Sequence, residues 1–193
     1  MSDIPDDPKK IRERIRRYER GLQKEKQTFG SYNDGAGKRY FIGPLYLLLG
    51  DLEGALKAFQ WFDTTFPDDS GEAGQSLCWA LAAYRSGDRK EAIHRLTRAM
   101  LQSRYVIPRL LGEPIDGLTV SADSDELRLM ELDWIPAQYF SSWAPDEREW
   151  ASREYHGEEL TALRNRHLEI TRALEKEPVG PRRTQLVEEL YGL

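Results

Sequence analysis

The chain has 193 residues, a formal net charge of −5 and 32% charged residues. A chain of that length can bury about 70% of the surface its unfolded form exposes, so one domain needs no staple, and the single cysteine, Cys78, excludes an internal disulfide. The acidic balance argues against a dedicated nucleic-acid binder, and no run approaches the roughly 20 apolar residues of a membrane span.

The opening "MSDIPDDPKK" is acidic and broken by prolines, with no apolar region behind a basic one, so no secretory leader is expected and the chain reads as cytoplasmic. A first helix is predicted over 8–29, because Pro8 suits a helix's first turn and "GSYNDGAG" concentrates turn-forming residues from Gly30 onward. Within it Ile11, Ile15, Tyr18 and Leu22 fall at i, i+4, i+7 and i+11, one apolar stripe. Nine Lys or Arg between Lys9 and Lys26 stand against Glu13, Glu19 and Glu25, an excess of six that leaves the rest of the chain near −11. Arg12, Arg16, Arg17 and Arg20 form the middle of this basic patch. Such a helix either presents a solvated face whose stems cover nearby apolar surface, or docks an acidic partner. Nucleic acid and anionic lipid fit it less well, since aromatics are not interleaved with the cations.

Alternating apolar and polar runs are absent and the helical period recurs, so the class is all-α. Over 37–112 two short helices flank each of two glycines: "KRYFIGPLYLLLG" runs into "DLEGALKAFQWFDTTFP", and "SLCWALAAYRSG" into "DRKEAIHRLTRAM". Aligning Gly50-Asp51 with Gly87-Asp88 gives a period of 37 residues, in the range of two-helix repeats. Gly43 then faces Ala80, Ala55 faces Ala92, Phe59 faces Leu96 and Phe62 faces Ala99. Phe59 and Phe62 are expected inside the hairpin rather than against a ligand.

This spacing resembles the tetratricopeptide repeat (TPR), in which small residues sit at the helix crossing, an aromatic fills the groove and a proline ends the second helix. Gly43, Tyr46, Gly50, Ala55, Phe59 and Pro67 match that signature; in the second repeat Ala80, Gly87, Ala92 and Ala99 match, while Leu96, Ala83 and Arg104 depart from it. Roughly 33–150 also resembles a group of bacterial repeat proteins of unassigned function, through Asn33, Asp34, Gly37, Arg39 and Tyr40 at its start and Val106, Pro108, Leu110, Leu111 and Gly112 at its end. The resemblance implies a fragment of an α-solenoid whose first helices line a concave groove, with Arg39, Tyr40, Pro44, Leu47 and Leu48 from one repeat and Leu77, Leu81, Tyr84 and Arg85 from the other. It implies a protein or peptide partner held in that groove by apolar anchors. The family's carboxylate clamp is not expected, because Pro44 and Leu81 stand at its asparagine positions. The alternative is that the chain's own C-terminal helix fills the groove.

Residues 123–193 read as a helical cap. A helix is predicted from Asp123-Ser124-Asp125-Glu126 toward Trp134, kinked or ended by Pro136, and a longer one from Pro145 to about Lys176 with a break at Gly157. Leu160, Leu163, His167, Ile170 and Leu174 make an a/d-like stripe on the latter, suited to packing on the repeats or pairing two chains as a homo-oligomer. "PVGPRRTQLVEELYGL" reads as a linker and a short final helix.

No catalytic, metal or cofactor constellation emerges. "DGAGKRY" lacks the features of a phosphate loop: Tyr32 stands where the first glycine belongs, and Arg39 follows Lys38 in place of Ser or Thr. His94, His156 and His167 share no helical ligand spacing, and Cys78 lies in the apolar run "LCWALAAY". The chain is therefore expected to be a binding module, an adaptor or small chaperone, rather than an enzyme.

Overall fold

The computed structural model describes residues 4–193, apart from the side chains at positions 116, 122 and 123; no described residue lies in a strand. Helix α1 spans Pro8–Phe29. It starts where expected because the Asp7 carboxylate accepts the Lys9 N–H at 2.9 Å. It stops where expected because Gly30, at φ 72°, takes the left-handed conformation and donates to the Lys26 carbonyl. Ile11, Ile15 and Leu22 are buried, and Tyr18 packs against Phe41 at 6.2 Å between ring centroids.

Two antiparallel hairpins follow: α2 (Arg39–Leu48) with α3 (Leu52–Thr65), and α4 (Ala73–Ser86) with α5 (Arg89–Gln102). The repeated Gly-Asp pair is a turn and a cap in two residues. Gly50 and Gly87 lie at φ 74° and 87°, and the next carboxylates, Asp51 and Asp88, accept the Gly54 and Glu91 N–H groups at 2.8 and 3.0 Å. At the α2–α3 crossing a Cβ on Gly43 would lie 2.4 Å from Phe59 Cε1, so the bare backbone is what lets the ring in. Phe59 then stacks on Trp79 of α4, centroids 5.0 Å apart and planes 8° from parallel, joining one hairpin to the next. Ala80, Ala92, Leu96 and Ala99 are fully buried in the second hairpin, and Phe59 and Phe62 are core at 1% and 3% exposed.

The rest is helical too: α6 (Val106–Leu111), a 3-10 turn at Asp116–Leu118, α7 (Ala122–Asp133), α8 (Ala137–Ser141), α9 (Pro145–His156), α10 (Glu158–Lys176) and α11 (Pro181–Tyr191). Helix α7 begins one residue before the expected Asp123, whose side chain lies outside the described residues. It stops at Asp133 with Trp134 as its C-cap, ahead of Pro136 as expected, and Pro136 in turn caps α8; the expected long helix is divided at Gly157, whose extended backbone (φ −60°, ψ 156°) separates α9 from α10. α1 packs on α2, α8 on α2 and α4, α9 on α6, and α10 on α5, α9 and α11. Buried side chains from Ile4 to Leu160 form one continuous core. No described helix is long and apolar enough to cross a membrane.

Candidate functional site

The face expected to be an open groove is covered by the chain itself. Leu77 and Leu81 are 0% exposed and Leu47 is 4% exposed, so none of the three presents a surface to a partner. Tyr84 meets Trp150 of α9 at 4.5 Å between centroids. Arg85 donates from Nε and Nη2 to the Glu147 carboxylate at 2.7 and 3.0 Å, and from Nη2 to the Ser142 carbonyl at 2.8 Å. Glu147 also accepts the Ala144 N–H at 2.7 Å. Burial opposes its charge, but Arg85 and that amide outweigh burial and hold Glu147 below the usual carboxylate range.

The occupant is α8–α9, not the stripe from Leu160 to Leu174. Tyr139, Trp143 and Trp150, each 2% or 3% exposed, supply larger apolar faces than the leucines of α10 could. The α10 stripe is used elsewhere, with Leu160 and Ile170 buried and Leu163, His167 and Leu174 half-buried, in a helix packed on α5, α9 and α11.

Arg39 and Tyr40 are bound into a polar knot. Arg39 Nε and the Tyr40 hydroxyl donate to Asp69 at 2.8 and 2.9 Å, and the Arg39 N–H donates to Asp34 at 2.8 Å. Burial, reinforced by Asp69, pushes the Tyr40 phenol up to about 12. Lys38 is held by Glu25 at 2.5 Å. The segment that imitates a phosphate loop thus spends its cations on internal partners. Beside it a cleft of about 590 Å³ remains, bounded by Tyr40, Phe41, Gly74, Ile135 and the half-exposed Trp134.

Helix α1 is the opposite case. Lys9, Lys10, Arg12, Arg16, Arg17, Arg20 and Lys24 are all exposed, and no described carboxylate forms an ion pair with any of them. Two of the helix's three carboxylates are engaged elsewhere: Glu19 accepts the Tyr46 hydroxyl at 2.9 Å, and Glu25 accepts Lys38. Most cations on the body are by contrast consumed internally. Arg95 binds Glu91, Arg104 binds Asp125, Arg148 reaches three backbone carbonyls, Arg166 binds Glu189 and Arg172 binds the Thr119 carbonyl.

A second cleft, of about 320 Å³, opens beside this cationic helix. Leu22 of α1, Ile42 and Tyr46 of α2, and Ala58 and Trp61 of α3 line it, with Tyr32 packed edge-on against Trp61 at 5.8 Å. Lys26 lies 5.3 Å from the Tyr32 ring centroid. Burial and the bond to Glu19 push the Tyr46 phenol up to about 12, so it stays a neutral donor at the cleft's end. No sequence signal pointed here, because three helices contribute residues far apart in the chain.

Comparison with family models, with curated proteins and with solved structures finds no match to this chain.

Proposed function

We propose that the chain is a non-catalytic binding module that docks an acidic protein segment on the outward face of α1. The carrying observation is the contrast in charge use: cations on the body are mostly tied to internal carboxylates and carbonyls, whereas Lys9, Lys10, Arg12, Arg16, Arg17, Arg20 and Lys24 of α1 stand exposed without described ion-pair partners. In this reading the two hairpins are a tetratricopeptide-like pair serving as scaffold, with α8–α9 seated where a partner peptide would otherwise lie. That occupation makes the groove the weaker site. Nucleic acid ranks below an acidic protein, because the outward face of α1 carries no aromatic platform for bases and the chain as a whole is at −5.

The test is binding of a labelled glutamate-rich peptide, followed by fluorescence anisotropy against salt. Affinity should fall about tenfold or more as the screening length shrinks from roughly 30 Å at 0.01 M to roughly 10 Å at 0.1 M. The Arg16→Glu/Arg20→Glu variant should lose most of the low-salt binding with unchanged circular dichroism. A salt-independent affinity, or equal binding by the charge-reversed protein, would sink the proposal.

A further inference from the structure

We infer that the segment docked on α1 is an amphipathic acidic helix that seats a bulky apolar side chain in the cleft between α1 and α3. The inference rests on the electrostatic docking just proposed and adds what charge alone does not specify. Arg12, Arg16, Glu19 and Gln23 follow one another at i, i+4, i+7 and i+11, so they share one side of α1. Glu19 and Gln23 line the cleft, which places Arg12 and Arg16 on the same side of the helix, farther along it. Arg16 is near enough to Tyr46, at the cleft's end, to favour ionisation of that hydroxyl against the effect of Glu19.

The cationic row and the apolar cleft are therefore one continuous surface, with charge at one end and an aromatic-walled recess at the other. At about 320 Å³ the recess is at the lower limit of ligand clefts, roughly 300–1,000 Å³, and fits an anchoring side chain better than a large free cofactor. Docked helices are held by such anchors, spaced on one apolar face. Along the axis Arg16 and Arg12 lie roughly 9 and 15 Å from Leu22 at 1.5 Å per residue, which asks for partner carboxylates about two to three turns from the anchor. Gly54, also in the wall, keeps the recess open: a Cβ there would lie 2.7 Å from Tyr46 Cδ1.

The experiment uses two synthetic labelled helical peptides of equal charge, both with glutamates at one end. The first carries a Leu-Phe pair two to three turns away, and the second has alanines in its place. Wild type should bind the first about ten- to hundredfold more tightly, the range expected for burying one large apolar side chain. Ala58→Phe, which fills the recess from an existing wall, should reduce the first peptide to the level of the second while leaving the second unchanged. Trp61→Ala serves as the converse variant, checked for folding by circular dichroism. Equal, salt-sensitive affinity of wild type for both peptides overturns the anchor and leaves the docking reading intact; salt-insensitive binding of both overturns the docking reading as well. Binding of sodium dodecanoate, blocked by Ala58→Phe, with no preference for the first peptide assigns the recess to a fatty acid and overturns the inference.

Discussion

Leu81→Ala separates a covered groove from an open one by the size of its effect on stability. Leu81 is 0% exposed on α4, the helix on which α8 packs and whose Tyr84 and Arg85 meet α9. The substitution removes three carbon atoms from the core, and at roughly 0.8 kcal/mol each the transfer loss alone is about 2.4 kcal/mol. A cavity left behind adds to this, for a total of about 3 kcal/mol within the usual range of roughly 2–5 for such truncations. In a chain of this size that corresponds to a melting point lowered by about 6–12 °C. An exposed groove leucine would instead change stability by less than about 0.5 kcal/mol. Urea denaturation followed by circular dichroism, with calorimetry for the melting point, measures the difference. A loss below about 1 kcal/mol would refute the seating of α8–α9 on the hairpins.

Gly43→Ala should be costly for a residue that gains only a methyl group. The added Cβ would meet the Phe59 ring at 2.4 Å, and that ring is held against Trp79, so overpacking of about 1–3 kcal/mol is expected in the same urea assay. Acid should weaken the fold in a defined direction. Glu147, Asp69 and Asp125 all ionise more readily folded than unfolded, because their hydrogen-bonding partners outweigh the opposing effect of burial. Each adds stability that is complete above the ordinary carboxylate values of 4.5 and 3.8 and is lost as pH falls through its lowered folded value. Stability should begin to fall as pH drops through about 6.5, where His94 and His167, kept neutral by burial in the fold, protonate more readily unfolded, and should drop further below about 4; Glu147→Gln should flatten part of that second drop. An unchanged acid limb in that variant would count against the Arg85–Glu147 pin.

What was legible in the sequence was the chemistry that acts over a few residues. Gly50-Asp51 and Gly87-Asp88 announce a left-handed turn and an N-cap without reference to the rest of the fold. Pro8 and Gly30 delimit α1 for the same reason. The fate of Leu47, Leu77 and Leu81 was not local. Whether a leucine on α4 faces solvent depends on contacts such as Arg85 with Glu147, 62 residues away, and on three aromatics whose i, i+4, i+11 spacing at 139, 143 and 150 is interrupted by the break between α8 and α9. The stripe from Leu160 to Leu174 had the more regular period and so was the more visible candidate for the groove. Aromatic area, rather than regularity, distinguishes the segment that occupies it. Arg12, Arg16, Arg17 and Arg20 were legible as a patch, but the chain alone did not reveal that Glu19 and Glu25 are drawn to Tyr46 and Lys38.

That redistribution bears on why α1 has its composition. Arg12, Arg16 and Arg20 follow at i+4 steps, a like-charge row that destabilises a helix by a few tenths of a kcal/mol per pair, on the order of 0.2–0.5. The first turn holds Lys9 and Lys10 and no acidic residue, against the preference of a helix N-terminus for negative charge. Asp7, as N-cap, and the buried Ile11, Ile15 and Leu22 offset these local conflicts. Glutamates among the exposed positions would have relieved the repulsion without touching the core, so packing does not require the cations. Departures from local consistency with no structural return are where function is sought. A row of exposed arginines leading to an aromatic recess is such a departure, and an acidic, anchored helix is the partner that would neutralise the one and fill the other.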